Sequence, residues 1–209
     1  MKYKLTKNKK TIKEITLYQI EALKDFLNVK KGDLGGWIEK ESNLSHRGDC
    51  WVYGDARVYG RAMVCDNARV FGDAWVYGRA MVCDNAQVSG DAWVYGDARV
   101  SVCAWVFGDA IVSGNAWVFG DAMVYGDAWV YGDAWVSGNT RVFGNVRVYG
   151  DAWVSGSAEV TGDAWVYGDT WVSGDARVYG DARVYGDARV SGNARVSGRA
   201  RVSGRAIIT

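Results

Sequence analysis

From Gly48 to Thr209 the chain can be cut into 27 consecutive hexads on the pattern G-[DN]-A-x-V-y, without one insertion or deletion. No other feature restricts the fold so severely, because a fixed short period commits every segment to one local structure and every copy to stacking on its neighbours. Within a hexad, Ala and Val alternate with two variable positions, the period-2 signature of a strand with one buried face, while Gly-Asp or Gly-Asn supplies a turn. Each hexad is therefore one short strand and one corner. The octapeptide "RAMVCDNA" indicates how the strands are arranged, since it occurs at Arg61–Ala68 and again, unchanged, at Arg79–Ala86. If three hexads complete one turn, a copy 18 residues on lies directly over its parent. The duplicated unit is a coil, and the repeat predicts nine of them.

The inward pair hardly varies. Val fills one position in 26 of 27 hexads, with Ile208 as the exception, and Ala fills the other in 23, with Cys50, Thr140, Val146 and Thr170 in the rest. Such uniform small and medium side chains suit a narrow, fully packed interior whose layers stack in register. At ~4.8 Å between neighbouring strands, nine coils form a rod about 43 Å long.

The pattern "V-Y-G-D-A-W", as in Val52 to Arg57 with Arg in the last place, closely resembles the hexapeptide-repeat family, which has an aliphatic residue at one position and a small residue four later. The resemblance covers about three quarters of the chain. It implies an all-β fold, a left-handed parallel β-helix of triangular coils, and the family's common assembly as homotrimers. Residues 48–209 are assigned to this helix and residues 1–47 to an N-terminal capping segment, because terminal repeats otherwise leave apolar core and unpaired strand groups open. Within that segment "YKLTKNKKTIKEITLYQIEALKDF" reads as a basic hairpin plus a strand or short helix, and Ile38 and Leu44 fall on the inward phase of Cys50 and Ala56. The other end shows no comparable cap, and its arginines, Arg195, Arg199, Arg201 and Arg205, oppose end-to-end pairing.

Charge and hydropathy narrow the function classes. The net charge is +1, which calls for no nucleic-acid polymer as partner. The Lys-rich start lacks the apolar core of a signal peptide, and no run approaches the ~18 apolar residues of a membrane span, so no membrane partner and a cytoplasmic location are expected. The four cysteines, Cys50, Cys65, Cys83 and Cys103, make no compact secreted framework and read as reduced thiols. Cys65 and Cys83 fall one coil apart, close enough for a thiol pair or, with Asp66 and Asp84, for a soft metal site, although duplication of the coil explains the same spacing.

With an 18-residue coil the outward residues sort into vertical rows. One face carries Met63, Met81, Arg99, Trp117, Trp135, Trp153, Trp171, Arg189 and Ile207, beside small hydroxyls that include Ser137 and Ser155. A second carries Arg57, Trp75, Trp93, Ile111, Trp129, Arg147, Trp165, Arg183 and Arg201 beside a nearly continuous tyrosine row. The third is mixed. Stacked aromatics support one another on a sheet, by roughly 0.2–1 kcal/mol per pair. An exposed aromatic wall of this size also argues for a partner surface, most simply another protomer. Trp beside Arg suits planar anions as well, because a base can stack on indole while guanidinium pairs with phosphate. The candidate ligand-binding residues are therefore Trp117, Trp135, Trp153, Trp171, Arg99, Arg189, Ser137 and Ser155.

Catalytic readings find less support. Family acyltransferases place a catalytic histidine near a loop that leaves the coil; here no loop interrupts the hexads, and the lone histidine, His46, lies ahead of them. One histidine cannot build the family's three-histidine zinc site. Asp55, Asp73, Asp91, Asp109 and Asp127 share a corner row, but Asn and Arg replace Asp at other corners, which favours turn-capping over cation binding. One corner breaks the glycine rule, with Asp66, Asp84 and Val102 on successive coils; Asp tolerates a left-handed backbone and Val does not, so "SVCA" is expected to be distorted.

These observations select a noncatalytic binding protein without cofactor or metal, assembled with itself, that sequesters a small anionic aromatic ligand of nucleotide type. Its loop-free form also resembles hexapeptide-repeat proteins of uncertain role in bacteria and phages, and in a phage such a binder would hold a host signalling nucleotide. The alternatives are a structural module without ligand and a reduced acyltransferase using His46.

Overall fold

A computed structural model describes all 209 residues. The chain opens with β1 (Tyr3–Ile12) and β2 (Ile15–Ala22), then β3 (Leu34–Ile38) and a 3-10 turn at Glu41–Asn43. From there one strand of two to four residues follows per hexad, from β4 (Trp51–Val52) to β30 (Ile207–Ile208). No helix is long and apolar enough to cross a membrane.

Strands 18 residues apart pair in parallel: Trp93 lies between Trp75 and Ile111, and Val94 between Val76 and Val112. Three sheets result, two of nine strands and one of twelve, the last being nine repeat strands extended by β3, β2 and β1. The expected all-β parallel helix is thus present, and the lead-in adds a partial coil, giving about ten turns where the repeat alone predicts nine. Inward residues from Cys50 to Val190 are 0–1% exposed, whereas in the last coil Ala206 and Ile208 are only partly covered.

Amides of outward residues donate to the carbonyl 17 positions on, as in Trp93 N–H to Ala110 (2.9 Å) and Tyr95 N–H to Val112 (3.0 Å). The first coil therefore presents carbonyls with no coil above to donate to them, and the preceding residues supply donors. Trp37 N–H reaches the Ala56 carbonyl at 2.9 Å, Asn43 Nδ2 that of Ala62 at 2.7 Å, and the buried Lys2 Nζ that of Cys50 at 2.7 Å. Buried carbonyls demand such partners. Burial lowers the Lys2 pKa.

The lead-in register differs from the one expected. Ile38 lies beside Val58 and Leu44 beside Val64, so both occupy the Val column rather than the column of Cys50 and Ala56. The lead-in coil is two residues longer, and because strand side chains alternate with period two, an even insertion keeps both residues inward.

Most corners turn on a glycine with positive φ. At Gly120 (φ 75°) an added Cβ would lie 2.8 Å from the Gly138 nitrogen, so both conformation and stacking require glycine. In the same row Asp66, Asp84 and Val102 adopt φ of 56°, 59° and 63°. The expected distortion at "SVCA" is absent: Val102 takes the left-handed geometry, and Asn85 N–H to Val102 O (2.7 Å) and Cys103 N–H to Gly120 O (2.9 Å) are kept. The ladders above and below override the residue's own preference, at a cost of about 1–2 kcal/mol.

Candidate interaction surface

Six of the eight residues singled out on the first face come together as one column, with Ser137 and Ser155 in the row beside it. Register pairs Arg99 with Trp117, then Trp117 with Trp135, Trp135 with Trp153, Trp153 with Trp171, and Trp171 with Arg189. The indoles stack at centroid separations of 4.9, 4.8 and 5.1 Å, within 4° of parallel. Arg99 lies 4.6 Å from the Trp117 ring and Arg189 5.4 Å from that of Trp171. The column is a four-ring stack closed at each end by a guanidinium, an arrangement that cation–π attraction favours. Ser137 and Ser155 are half-buried alongside, their amides held by Val154 and Val172 carbonyls at 2.9 Å.

This geometry alters the chemistry read from the rows. Every indole face is covered, by another indole or by an arginine, so a base has no free ring face to stack on. What the surface offers is a strip of indole edges, with Trp153 38% and Trp171 45% exposed. The linear sequence gives the row but not the ring rotation, which follows from strand spacing: rings repeated every coil pack flat against one another.

The second face follows the same rule. Tyr59, Tyr77 and Tyr95 stack at 5.0 and 4.9 Å, and after the break at Ser113 a second stack runs from Tyr131 to Tyr185. Arg147 lies between Trp129 (5.4 Å) and Trp165 (4.8 Å). Burial raises the phenol pKa of Tyr77 to about 12, helped by Tyr59 and Tyr95. Phe107, Tyr125 and Phe143 form a short stack on the third face.

Charge is segregated along the rod, which the overall +1 conceals. Residues 1–47 carry 11 basic and 6 acidic side chains, residues 48–176 carry 7 and 16, and residues 177–209 carry 7 and 2. Where the last two segments meet, a groove is lined by Asp169, Trp171, Asp187, Arg189, Arg205 and Ile207, continuous with the lower end of the Trp stack. Along the corners Asn115 Nδ2 donates to Asp133 Oδ1 and Asn145 Nδ2 to Asp163 Oδ1, each at 2.9 Å, so Asn serves as a bridge within the Asp rows.

His46 is tied into the residues before the repeat. Its Nδ1 accepts from the Lys2 amide at 3.2 Å, its ring stacks on Tyr3 at 4.3 Å, and its Nε2 is buried without a partner. Burial lowers its pKa, favouring the neutral ring. The cysteines correct the expectation of four thiols: Cys65 and Cys83 form a disulfide, with Cα atoms 4.7 Å apart, while Cys50 and Cys103 are free. Identical row positions on adjacent parallel strands bring the pair within bonding range.

The family described as the YdcK beta solenoid repeat matches residues 62–78, 86–101, 116–132, 140–156 and 172–186, with overlapping matches at 176–192, 182–198 and 188–204. The chain is 41% identical over 61 residues to "Uncharacterized acetyltransferase YdcK" of Escherichia coli (strain K12), a match that covers 29% of this chain and 19% of the relative. Over those residues the rod is similar to YdcK beta solenoid repeats, and its three parallel sheets stack as a hexapeptide-repeat-like parallel β-helix.

Proposed function

We propose that the protein is a noncatalytic binding rod that assembles with itself, as a homotrimer, through the Trp117–Trp171 face, and holds a small anionic aromatic ligand in the clefts that this contact creates. The observation that carries the reading is the edge-on stack: four parallel indoles with no free faces make a flat apolar strip, which suits another flat surface better than an isolated small molecule. The arginine-lined groove beside Trp171 favours the ligand part, since Arg189 and Arg205 can pair with phosphate where a neighbouring protomer supplies the second wall. Trp135→Ala with Trp153→Ala is expected to dissociate the assembly, and Arg189→Ala with Arg205→Ala to keep the assembly and abolish nucleotide binding. Both are read by native mass spectrometry with a nucleotide panel. A double-Trp variant that stays assembled contradicts the docking role.

The name of the Escherichia coli relative supports a second reading, an acetyltransferase, in which His46 would be the general base. That role requires Nε2 to become accessible. Acetyl transfer that His46→Ala removes would establish it.

A further inference from the structure

On the coils of the repeated octapeptide, and nowhere else in the hexads, the residues Cys-Asp stand at the outward-and-corner step. The sulfurs of Cys65 and Cys83 and a carboxylate oxygen of Asp66 all lie within 4.8 Å of one another. We propose that this cluster, opened by a thiol reductant, is a binding site for a soft divalent cation of the zinc class, and that the Cys65–Cys83 bond closes it.

The donor set fits. Two thiolates and a carboxylate suit zinc, and thiolates at ~2.3 Å from a tetrahedral ion lie about 3.8 Å apart, a separation that the 4.7 Å between Cα atoms accommodates. The two aspartates are not equivalent. Asp84 Oδ2 accepts from Val102 N–H at 3.0 Å, whereas Asp66 Oδ2 has only a 3.4 Å contact with Asp84 N–H and is the freer ligand. Asp66 is exposed and both cysteines are half-buried, so the ion has an open approach and water can complete the shell. Opening takes two electrons and two protons from the reductant, a dithiol that is itself oxidised to a disulfide; the bond between the sulfurs breaks and two thiols form. Binding then releases the two thiol protons to solvent, so affinity rises with pH.

Titration of the reduced protein with Co2+ tests this. One ion per chain is expected to bind, with a sulfur-to-metal charge-transfer band in the near ultraviolet that Zn2+ displaces. Cys83→Ser should abolish the band, Asp66→Asn should weaken binding by roughly ten-fold or more while keeping it, and Cys103→Ser should leave it unchanged. The oxidised protein should give no band. Absence of the band in reduced protein of native circular dichroism, its persistence in Cys83→Ser, or its loss in Cys103→Ser would each overturn the assignment.

Discussion

The nine hexad coils and the 47 residues before them face the same requirement and meet it by partly different means. Inside the repeat, the carbonyls of the inward Ala and Val are satisfied by backbone amides of the neighbouring coil, so any side chain that fits the column will serve. At the first coil the preceding residues take that place only in part: backbone amides of Trp37, Glu39 and Ser45 reach the Ala56, Val58 and Val64 carbonyls, while those of Ala62 and Cys50 are met by the side chains of Asn43 and Lys2. Interior positions are therefore constrained by shape and terminal positions by chemistry.

Glycine substitutions break this contrast most forcefully. Gly138→Ala puts a Cβ 2.6 Å from the Gly156 carbonyl oxygen at φ 71°, combining a backbone collision with left-handed strain, and is expected to cost about 3 kcal/mol. Gly32→Ala ahead of the repeat meets nothing within 4 Å at φ 94° and should cost about 1–2 kcal/mol, from strain alone. Urea denaturation of the two variants measures the difference. Next in size is Asn43→Ala, which leaves the Gly60 and Ala62 carbonyls without a donor and should cost about 1–3 kcal/mol by the same method.

Two threonines in the Ala column sharpen the point about shape. Both are fully buried, but Thr170 Oγ1 donates to the Tyr167 carbonyl while Thr140 Oγ1 has no partner. Thr140→Ala is expected to raise stability by about 1 kcal/mol and Thr170→Ala to lower it by about as much, readable as opposite shifts in Tm. The smallest effect concerns the ion pair of Lys10 with Asp55. Lys10 holds the Asp55 carboxyl below the usual carboxylate range, with Trp37 Nε1 donating to it at 3.2 Å. A depressed folded-state pKa contributes stability above the ordinary carboxylate value, and that contribution is lost as pH falls through the lower folded value. The pair is exposed and screened, so the loss as pH falls below the ordinary carboxylate range should stay under about 1 kcal/mol and should shrink in Lys10→Met.

The sequence discloses fold and rows because an uninterrupted six-residue period leaves a single way of burying Ala and Val together. It discloses less where parity hides an event. The two extra residues before Cys50 leave Ile38 and Leu44 inward, so the pattern alone cannot distinguish the Ala column from the Val column. Ring rotation is hidden in the same way: a row of Trp117, Trp135, Trp153 and Trp171 can present faces or edges outward, and contact between neighbouring rings decides it. Val102 shows that long ladders can hold a residue in a conformation its own sterics oppose. For Cys65 and Cys83 the row gives proximity, but oxidation state depends on the surroundings of the protein as well as its geometry.

The edge-on Trp face is proposed as a contact between copies. The most direct measurement is the mass of the intact wild-type protein in solution by native mass spectrometry, at concentrations down to the micromolar range. A species of three chains of 22.9 kDa each is expected, with nucleotide-sized mass retained when ligand is bound. A single 22.9 kDa species across that range, with the Trp face left uncovered, would contradict it.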